Sequence, residues 1–374
     1  TVDGQAISAG RFAADVAALA ARLRAAPARY LLNACSDRYW FAVTFCAAVV
    51  ADRINLLPPS RAPQAMARLA ARYPSLVCVA DRGVAIEALP PPLPVPDAPS
   101  TAVLWPPPSA PRGRVAAIAF TSGSTGEPMP QRKYWGGVVD GARAELRALG
   151  LDDAQAGQTV LVGTVSAQHM YGLESTVIMA LHGPFAFAAE HPLHPEQVAD
   201  VLARQSGRRV LVTTPVHLRA LVESGATLPP LARVVSATAP LPTELAQRCE
   251  RTWQAPVLEV YGCTETGMLA TRRTLDGAAW TLLDGVTLRP QPEAALPGPS
   301  ASAPQAAGDA IDAPDAAAAP SRFIGAGGHV VLPGPIADHL RPLDERRFLL
   351  EGRLSDVVNV GGRRASLAAL SLTL

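Results

Sequence analysis
Thr121-Ser122-Gly123-Ser124-Thr125-Gly126-Glu127-Pro128 follows directly on the apolar run Val115-Ala116-Ala117-Ile118-Ala119-Phe120. The reading of that junction decides the fold. A short apolar run bounded by Gly, Ser, Thr and Pro is a buried strand entering a loop. Glycines let such a loop bend and approach a ligand closely, while its backbone N–H groups and hydroxyls can donate to an anion. The Gly-Lys-Ser/Thr ending of the common P-loop is missing. Taken alone, the stretch could equally be a polar surface turn.

Strands and helices alternate on both sides of it. Upstream, Ser8 caps an expected helix whose Phe12, Val16, Leu19 and Leu23 recur at helical spacing. A strand at 30–32, a helix at 38–51, a strand at 54–57, a helix at 63–72 and a strand at 76–80 follow. The proline-rich stretch 90–111 reads as a linker or surface meander, because Pro cannot donate to a ladder. Downstream, the alternation predicts helices at 137–149, from 168 to about 181, and at 195–205, 215–223 and 242–252. Strands are expected at 159–162, 209–213, 233–236 and 257–260. This pattern is α/β, with parallel sheets covered on both faces. Ligands bind at the carboxyl ends of such strands, where the opening loop also lies. Residues 290–321 are Ala, Pro, Gly and Ser with few bulky apolar side chains, the composition of a flexible insertion. Short strand-like runs near 323, 329–332 and 347–350 suit a small β subdomain.

Two further stretches match the first in kind: Tyr261-Gly262-Cys263-Thr264-Glu265-Thr266-Gly267, and the run from Gly352-Arg353 through Asp356, Asn359, Gly361 and Gly362 to Arg364. With the Thr-Ser-Gly-Ser-Thr-Gly loop before them, in that order, the chain resembles the adenylate-forming superfamily. That superfamily includes acyl-CoA synthetases, nonribosomal peptide synthetase adenylation domains and beetle luciferases. The resemblance implies a large N-terminal domain over 1–353: two alternating β/α sheets (1–115 and 116–265) and a β subdomain (266–353). Residues 354–374 would form the hinge and the start of a C-terminal domain. The chain does not open on Met, so a preceding segment is also expected.

The resemblance further implies ATP, Mg²⁺ and a carboxylic acid as ligands, with acyl-adenylate as product. Thr121, Ser122, Gly123, Ser124, Thr125 and Gly126 would wrap the β- and γ-phosphates. Thr264 would donate to the α-phosphate and Glu265 would hold the metal, a hard cation suited to carboxylate oxygen. Ala237, Thr238 and Ala239 would line the adenine pocket, with Tyr261 and Gly262 beside the adenine and the acyl group. Asp338, fifteen residues before Arg353, would take the ribose hydroxyls, and Arg353 would contact ribose or phosphate. His169, Tyr171 and Gly172 would border the acid, His169 as a gate. Simpler readings stand beside these: Glu265 as a solvated turn residue, Asp338 as a loop acid, His169 as a packed or capping histidine. The remaining histidines show no metal-ligand spacing.

Composition excludes several classes. Hydrophobic content is 49%, charged content 17% and formal net charge +1, with no clustered basic run to bind nucleic acid. The longest apolar runs are too short to span a bilayer, and no secretory leader is visible. Five scattered cysteines without CxxC or zinc spacing read as reduced thiols, hence a cytoplasmic location.

Met129 stands where the superfamily has lysine, a loss of about 1.5–3 kcal/mol in phosphate binding if nothing substitutes. Lys133, the only lysine, and Arg132 are nearby but off the family position. The adenylating lysine of the superfamily belongs to its C-terminal domain. This chain alone is therefore expected to bind nucleotide but form adenylate poorly. The run Gln168 to Glu174 and the ending Gly362-Arg363-Arg364-Ala365-Ser366-Leu367 look most like stand-alone ligases of bacterial aryl polyene (xanthomonadin-type) pigment pathways. Those load an aromatic or unsaturated acid on an acyl carrier protein or CoA. The alternatives are a medium- or long-chain fatty acyl-CoA ligase and a catalytically silent adenylate-binding scaffold.

Overall fold
The computed structural model describes residues 5–121, 129–152, 158–182, 184–291, 322–353, 357–360 and 363–366. Helix α1 (Ala9–Ala25) starts at Ser8, whose hydroxyl accepts from the Arg11 amide at 3.2 Å. After β1 (Tyr30–Asn33), Asp37 caps α2 (Arg38–Val50) through the Trp40 amide. Strand β2 (Ile54–Leu57) leads to α3 (Pro63–Arg72), with proline in its first turn, where a missing N–H costs nothing. Then come β3 (Leu76–Ala80), β4 (Leu93–Pro94), β5 (Val115–Thr121) and β6 (Met129–Tyr134). Together they form a six-stranded sheet in the order β4-β3-β1-β2-β5-β6, parallel except for β6.

Helix α4 (Trp135–Ala148) opens the second half. Strand β7 (Thr159–Gly163) precedes a short α5 (Met170–Gly172), which passes into a π-helical turn, Leu173–Ile178. Next come β8 (Phe185–Phe187), α6 (Pro195–Arg204), β9 (Arg208–Thr213), α7 (Pro215–Ser224), β10 (Arg233–Ser236), α8 (Thr243–Trp253) and β11 (Val257–Cys263). Strands β8, β7, β9, β10 and β11 lie side by side and parallel. Each connecting helix buries one apolar stripe. Leu202, Leu221, Leu245 and Cys249 pack on Leu211, Val234 and Val257.

Between the two sheets lies α2, buried around nearly its whole circumference, as its unbroken apolar sequence requires. Its core cluster joins Leu31 of β1 and Ala117 of β5 to Leu161, Val210 and Val235 of the second sheet. Arg38 at the start of α2 is fully buried. It donates to the carbonyls of Gly163, Val165, Ala188 and Glu190, tying the helix to the ends of β7 and β8.

The remaining strands depart from the expected layout. Strands β12 (Gly267–Arg273), β13 (Ala279–Leu282), β18 (Arg347–Arg353) and β17 (Asp338–Pro342) extend the second sheet to nine strands, antiparallel beyond β11. Only β14 (Val286–Pro290), β15 (Phe323–Gly327) and β16 (Val330–Ile336) form a separate three-stranded sheet, with β19 (Val357–Val360) and β20 (Arg363–Ser366) as a two-stranded pair. The first sheet also runs past residue 115, since the β5–β6 hairpin belongs to it. The proline-rich stretch is pinned rather than free: β4 pairs with β3, and the Ser100 and Leu104 amides donate to Asp15 and the Gly10 carbonyl of α1. Residues 292–321 of the expected insertion, and 354–356 and 367–374 at the expected hinge, lie outside the described residues. Among the described residues, no helix is long and apolar enough to cross a membrane.

Candidate active site
The second sheet sends its parallel strands to one edge, and three of the expected site segments leave from there. Strand β10 runs into Ala237, which is buried, and then Thr238 and Ala239, which are exposed. Thr238 sits at φ +81°, a conformation a β-branched residue adopts only when its surroundings impose it. One of those constraints is Glu259 of β11, 2% exposed. Its carboxylate accepts from the Leu241 amide at 3.1 Å and also binds Arg272 and Thr274. Glu259 thereby fastens the Ala237–Leu241 stretch to the sheet. Nothing in the sequence marked it, because a glutamate in the middle of a strand has no local signature.

Strand β11 ends in the turn Thr264–Thr266, and the chain reverses into β12. Gly262 is obligatory here: a Cβ would lie 2.4 Å from the Gly267 carbonyl oxygen. Thr264 and Glu265 are half-buried at the turn. Tyr261 is buried, its ring 5.7 Å from those of Trp280 and Phe348, and its hydroxyl donates to Asp338 Oδ2 at 2.7 Å. Asp338 opens β17 directly opposite Arg353, the last residue of β18. Two motifs more than seventy residues apart in sequence thus meet through one hydrogen bond.

Lys133 approaches the same turn from the first sheet. It is 7% exposed, and its Nζ donates to the Glu265 carbonyl at 3.1 Å. Beside it, Lys133, Glu174, Glu265, Thr266 and His329 line a small pocket of about 30 Å³. Burial pushes the Glu174 carboxyl up to about 7, against the opposing pull of Lys133. Burial also lowers the Lys133 ammonium from its ordinary value, and Glu174 and Glu265 oppose that shift. Glu145 of α4, fully buried with its Oε1 bound by Ser175, is raised well above the carboxylate range by burial. Lys133 is off the family's lysine position in sequence, and the long-range packing of the sheets brings it to Glu265.

His169 is exposed at the start of α5. Tyr171 commits its hydroxyl proton to the Thr213 and Val235 carbonyls, at 3.1 and 3.0 Å. Gly172 packs where a Cβ would come 2.0 Å from the Ser166 carbonyl oxygen. Nearby, the Thr164 hydroxyl contacts Thr213 Oγ1 and His217 Nδ1, each at 2.8 Å, and His191 Nε2 lies 3.0 Å from the Thr164 carbonyl. Burial lowers both of these histidines, which favours neutral imidazoles. Thr121 ends β5; Ser122, Gly123, Ser124, Thr125 and Gly126 lie outside the described residues, as does the Arg353 side chain. A larger apolar cavity of about 910 Å³, bounded by Phe12, Val16, Trp105 and Phe185, lies by the opposite, amino-terminal ends of β7 and β8.

The residues present fit Mg²⁺. Among the described residues, no three His, Cys, Asp or Glu side chains converge as a metal cage. The Glu265 carboxylate would offer a hard oxygen donor, with phosphate and water completing the shell, a set that suits Mg²⁺ better than Zn²⁺.

The model of the AMP-binding enzyme family matches residues 8–298. The chain belongs to that family. A 4-coumarate–CoA ligase of Rhodobacter capsulatus is 31% identical over 267 residues, 71% of this chain and 59% of that protein. Another, from Halorhodospira halophila, is 28% identical over 256 residues, 66% of this chain and 53% of the relative. The matches therefore span little more than half the length of those ligases. Among solved structures, an O-succinylbenzoate coenzyme A synthetase from Bacillus subtilis, in complex with AMP, superposes with a TM-score of 0.75 at 14% identity. It covers 99% of this chain and 78% of that one. Apo MatB from Rhodopseudomonas palustris gives 0.72 at 17% identity, covering 97% and 77%. At such identities the likeness establishes the fold: two alternating β/α sheets extended by antiparallel strands.

Proposed function
We propose that this chain of the AMP-binding enzyme family binds ATP and activates a carboxylic acid as its acyl-adenylate, for transfer to the thiol of CoA or an acyl carrier protein. The observation that carries the reading is the Tyr261–Asp338 hydrogen bond beside the Thr264–Glu265 turn. It brings the Tyr261 ring, four residues from Glu265 in the chain, together with the Asp338 carboxylate, which is in keeping with ribose and metal roles for the two carboxylates. Carboxylate and ATP repel each other, so the chain's task is to place and neutralise charge. Asp338 holds the ribose hydroxyls, Tyr261 and the Ala237–Ala239 wall flank the base, and Thr264 donates to the α-phosphate. The loop of Thr121 to Gly126 takes the outer phosphates. Glu265 holds Mg²⁺, which supplies charge neutralisation on the phosphates when bound.

An aromatic acid of the hydroxybenzoate or hydroxycinnamate type is the favoured substrate. The 31%-identical relative is a 4-coumarate–CoA ligase, which supports it, as does the resemblance to pigment-pathway ligases. His169, the Tyr171 ring and Gly172 border its site. All five cysteines are free, in keeping with a cytoplasmic setting. ATP–pyrophosphate exchange by the full-length protein over a panel of benzoates, cinnamates and fatty acids tests the reading. Exchange with aromatic acids is expected. Exchange with fatty acids alone would move the substrate class, and nucleotide binding without exchange for any acid would favour the silent scaffold.

A further inference from the structure
Lys133 is an expensive residue where it stands. It is the only lysine in 374 residues, buried on the edge strand β6, and burying an ammonium costs free energy unless partners compensate. Its hydrogen-bond partner is the Glu265 carbonyl, to which it donates, and the Glu174 side chain stands on the wall of the same pocket. Glu174 reaches the turn from the other side, since a Cβ placed on Gly267 would come 3.2 Å from Glu174 Oε1. Gly334 of β16 backs the Glu265 side chain so closely that a Cβ there would meet Glu265 Cβ at 2.9 Å. Glu265 is thus held by its main chain from one direction and crowded at its Cβ from another, which fixes where its side chain leaves the turn.

We propose that Lys133 is a positioning residue for Glu265: by holding the Glu265 carbonyl from beside Glu174, it aims the Glu265 carboxylate at the divalent cation on the nucleotide. The proposal rests on the functional reading above and deepens it. It also gives the single lysine a role that does not require contact with phosphate, so the absence of lysine at 129 and its presence at 133 are separate features. Met129 and Lys133 both lie on β6, but Met129 is at the loop end, paired with Thr121, while Lys133 pairs with Ala117.

The test is calorimetric binding of ATP to the full-length protein, with excess Mg²⁺ and again with EDTA; the ratio of the two affinities is the metal-dependent gain. Lys133→Met is expected to reduce that gain about ten- to a hundredfold while leaving metal-free ATP binding near the parent's, the loss of one charge-assisted bond to the turn. Lys133→Arg should recover part of it. The double variant Lys133→Met with Glu174→Gln removes both charges from the pocket and so covers the case in which Lys133→Met alone misfolds. It should melt near the parent temperature yet still lack the gain. If the double variant regains the gain, Lys133 merely neutralises Glu174 and the positioning role is overturned; an unreduced gain in Lys133→Met overturns it too. A parent protein that binds no ATP under either condition would overturn the functional reading and this proposal with it.

Discussion
At the scale of single residues, the site depends on side chains whose polar atoms are already committed within the protein. The Tyr261 hydroxyl orients Asp338 before any ligand arrives. Tyr261→Phe keeps the ring between Trp280 and Phe348 and removes that one bond. It should weaken AMP and ATP binding about tenfold, equivalent to about 1.5 kcal/mol for a lost neutral-to-charged contact, with little change in melting temperature. Titration calorimetry decides it, and unaltered affinity would mean that Asp338 is oriented by other groups. Glu265→Gln tests the metal ligand, because a neutral amide is a poor Mg²⁺ ligand. A loss of at least about tenfold in pyrophosphate exchange is expected, in line with removing one charge-stabilising contact at a reaction centre. A variant that exchanges like the parent would remove Glu265 from the metal.

At the scale of elements, strands deliver the site and turns shape it. The exit of β10 is held under strain at Thr238, and the Glu259 anchor at Leu241 keeps it there. Thr238→Gly relieves a left-handed threonine, which costs on the order of 1–3 kcal/mol, while adding unfolded-state entropy of about 1 kcal/mol. The net expectation is a gain of about 1 kcal/mol in unfolding free energy by urea titration. No gain would show that the turn is relaxed as it stands. The elements themselves were mostly legible. Ser8, Asp37 and Thr214 each cap the helix that follows, and Pro63, Pro195 and Pro215 each sit in a first turn. The segment after His169 was less so: its expected helix contains the π-turn Leu173–Ile178, where Thr176 bonds back to the Gly172 carbonyl. No sequence period marks that widening.

At the scale of the whole molecule, charge buried between the sheets couples stability to pH. Burial raises Glu174 from its ordinary 4.5 to about 7, and raises Glu145 and Asp37 as well. A carboxyl with a raised folded-state pKa binds its proton more tightly in the native state than in the unfolded chain. Its contribution is fully present below about pH 4.5 and is lost as pH rises through about 7. For Glu174 that separation corresponds to about 3 kcal/mol. Unfolding free energy measured at about pH 5 and about pH 8 should therefore fall less steeply in Glu174→Gln than in the parent. Equal slopes in the two proteins would mean that Glu174 is charged throughout.

What the sequence by itself determined was local or ordered along the chain. Alternating apolar runs and caps specify strands and helices because burial and capping act within a few residues. The three motifs specify the family because each carries its chemistry in adjacent positions. Only the tertiary structure decided which distant segments touch. The β5–β6 hairpin joins the first sheet, and β12, β13, β17 and β18 extend the second, because edge strands take whichever partner the rest of the packing presents. Lys133, Glu174 and Glu259 acquired their places at the site in the same way. A buried charge is tolerable only where its partners converge, and the carbonyl of Glu265, 132 residues from Lys133, is brought to it by the packing of one sheet against the other.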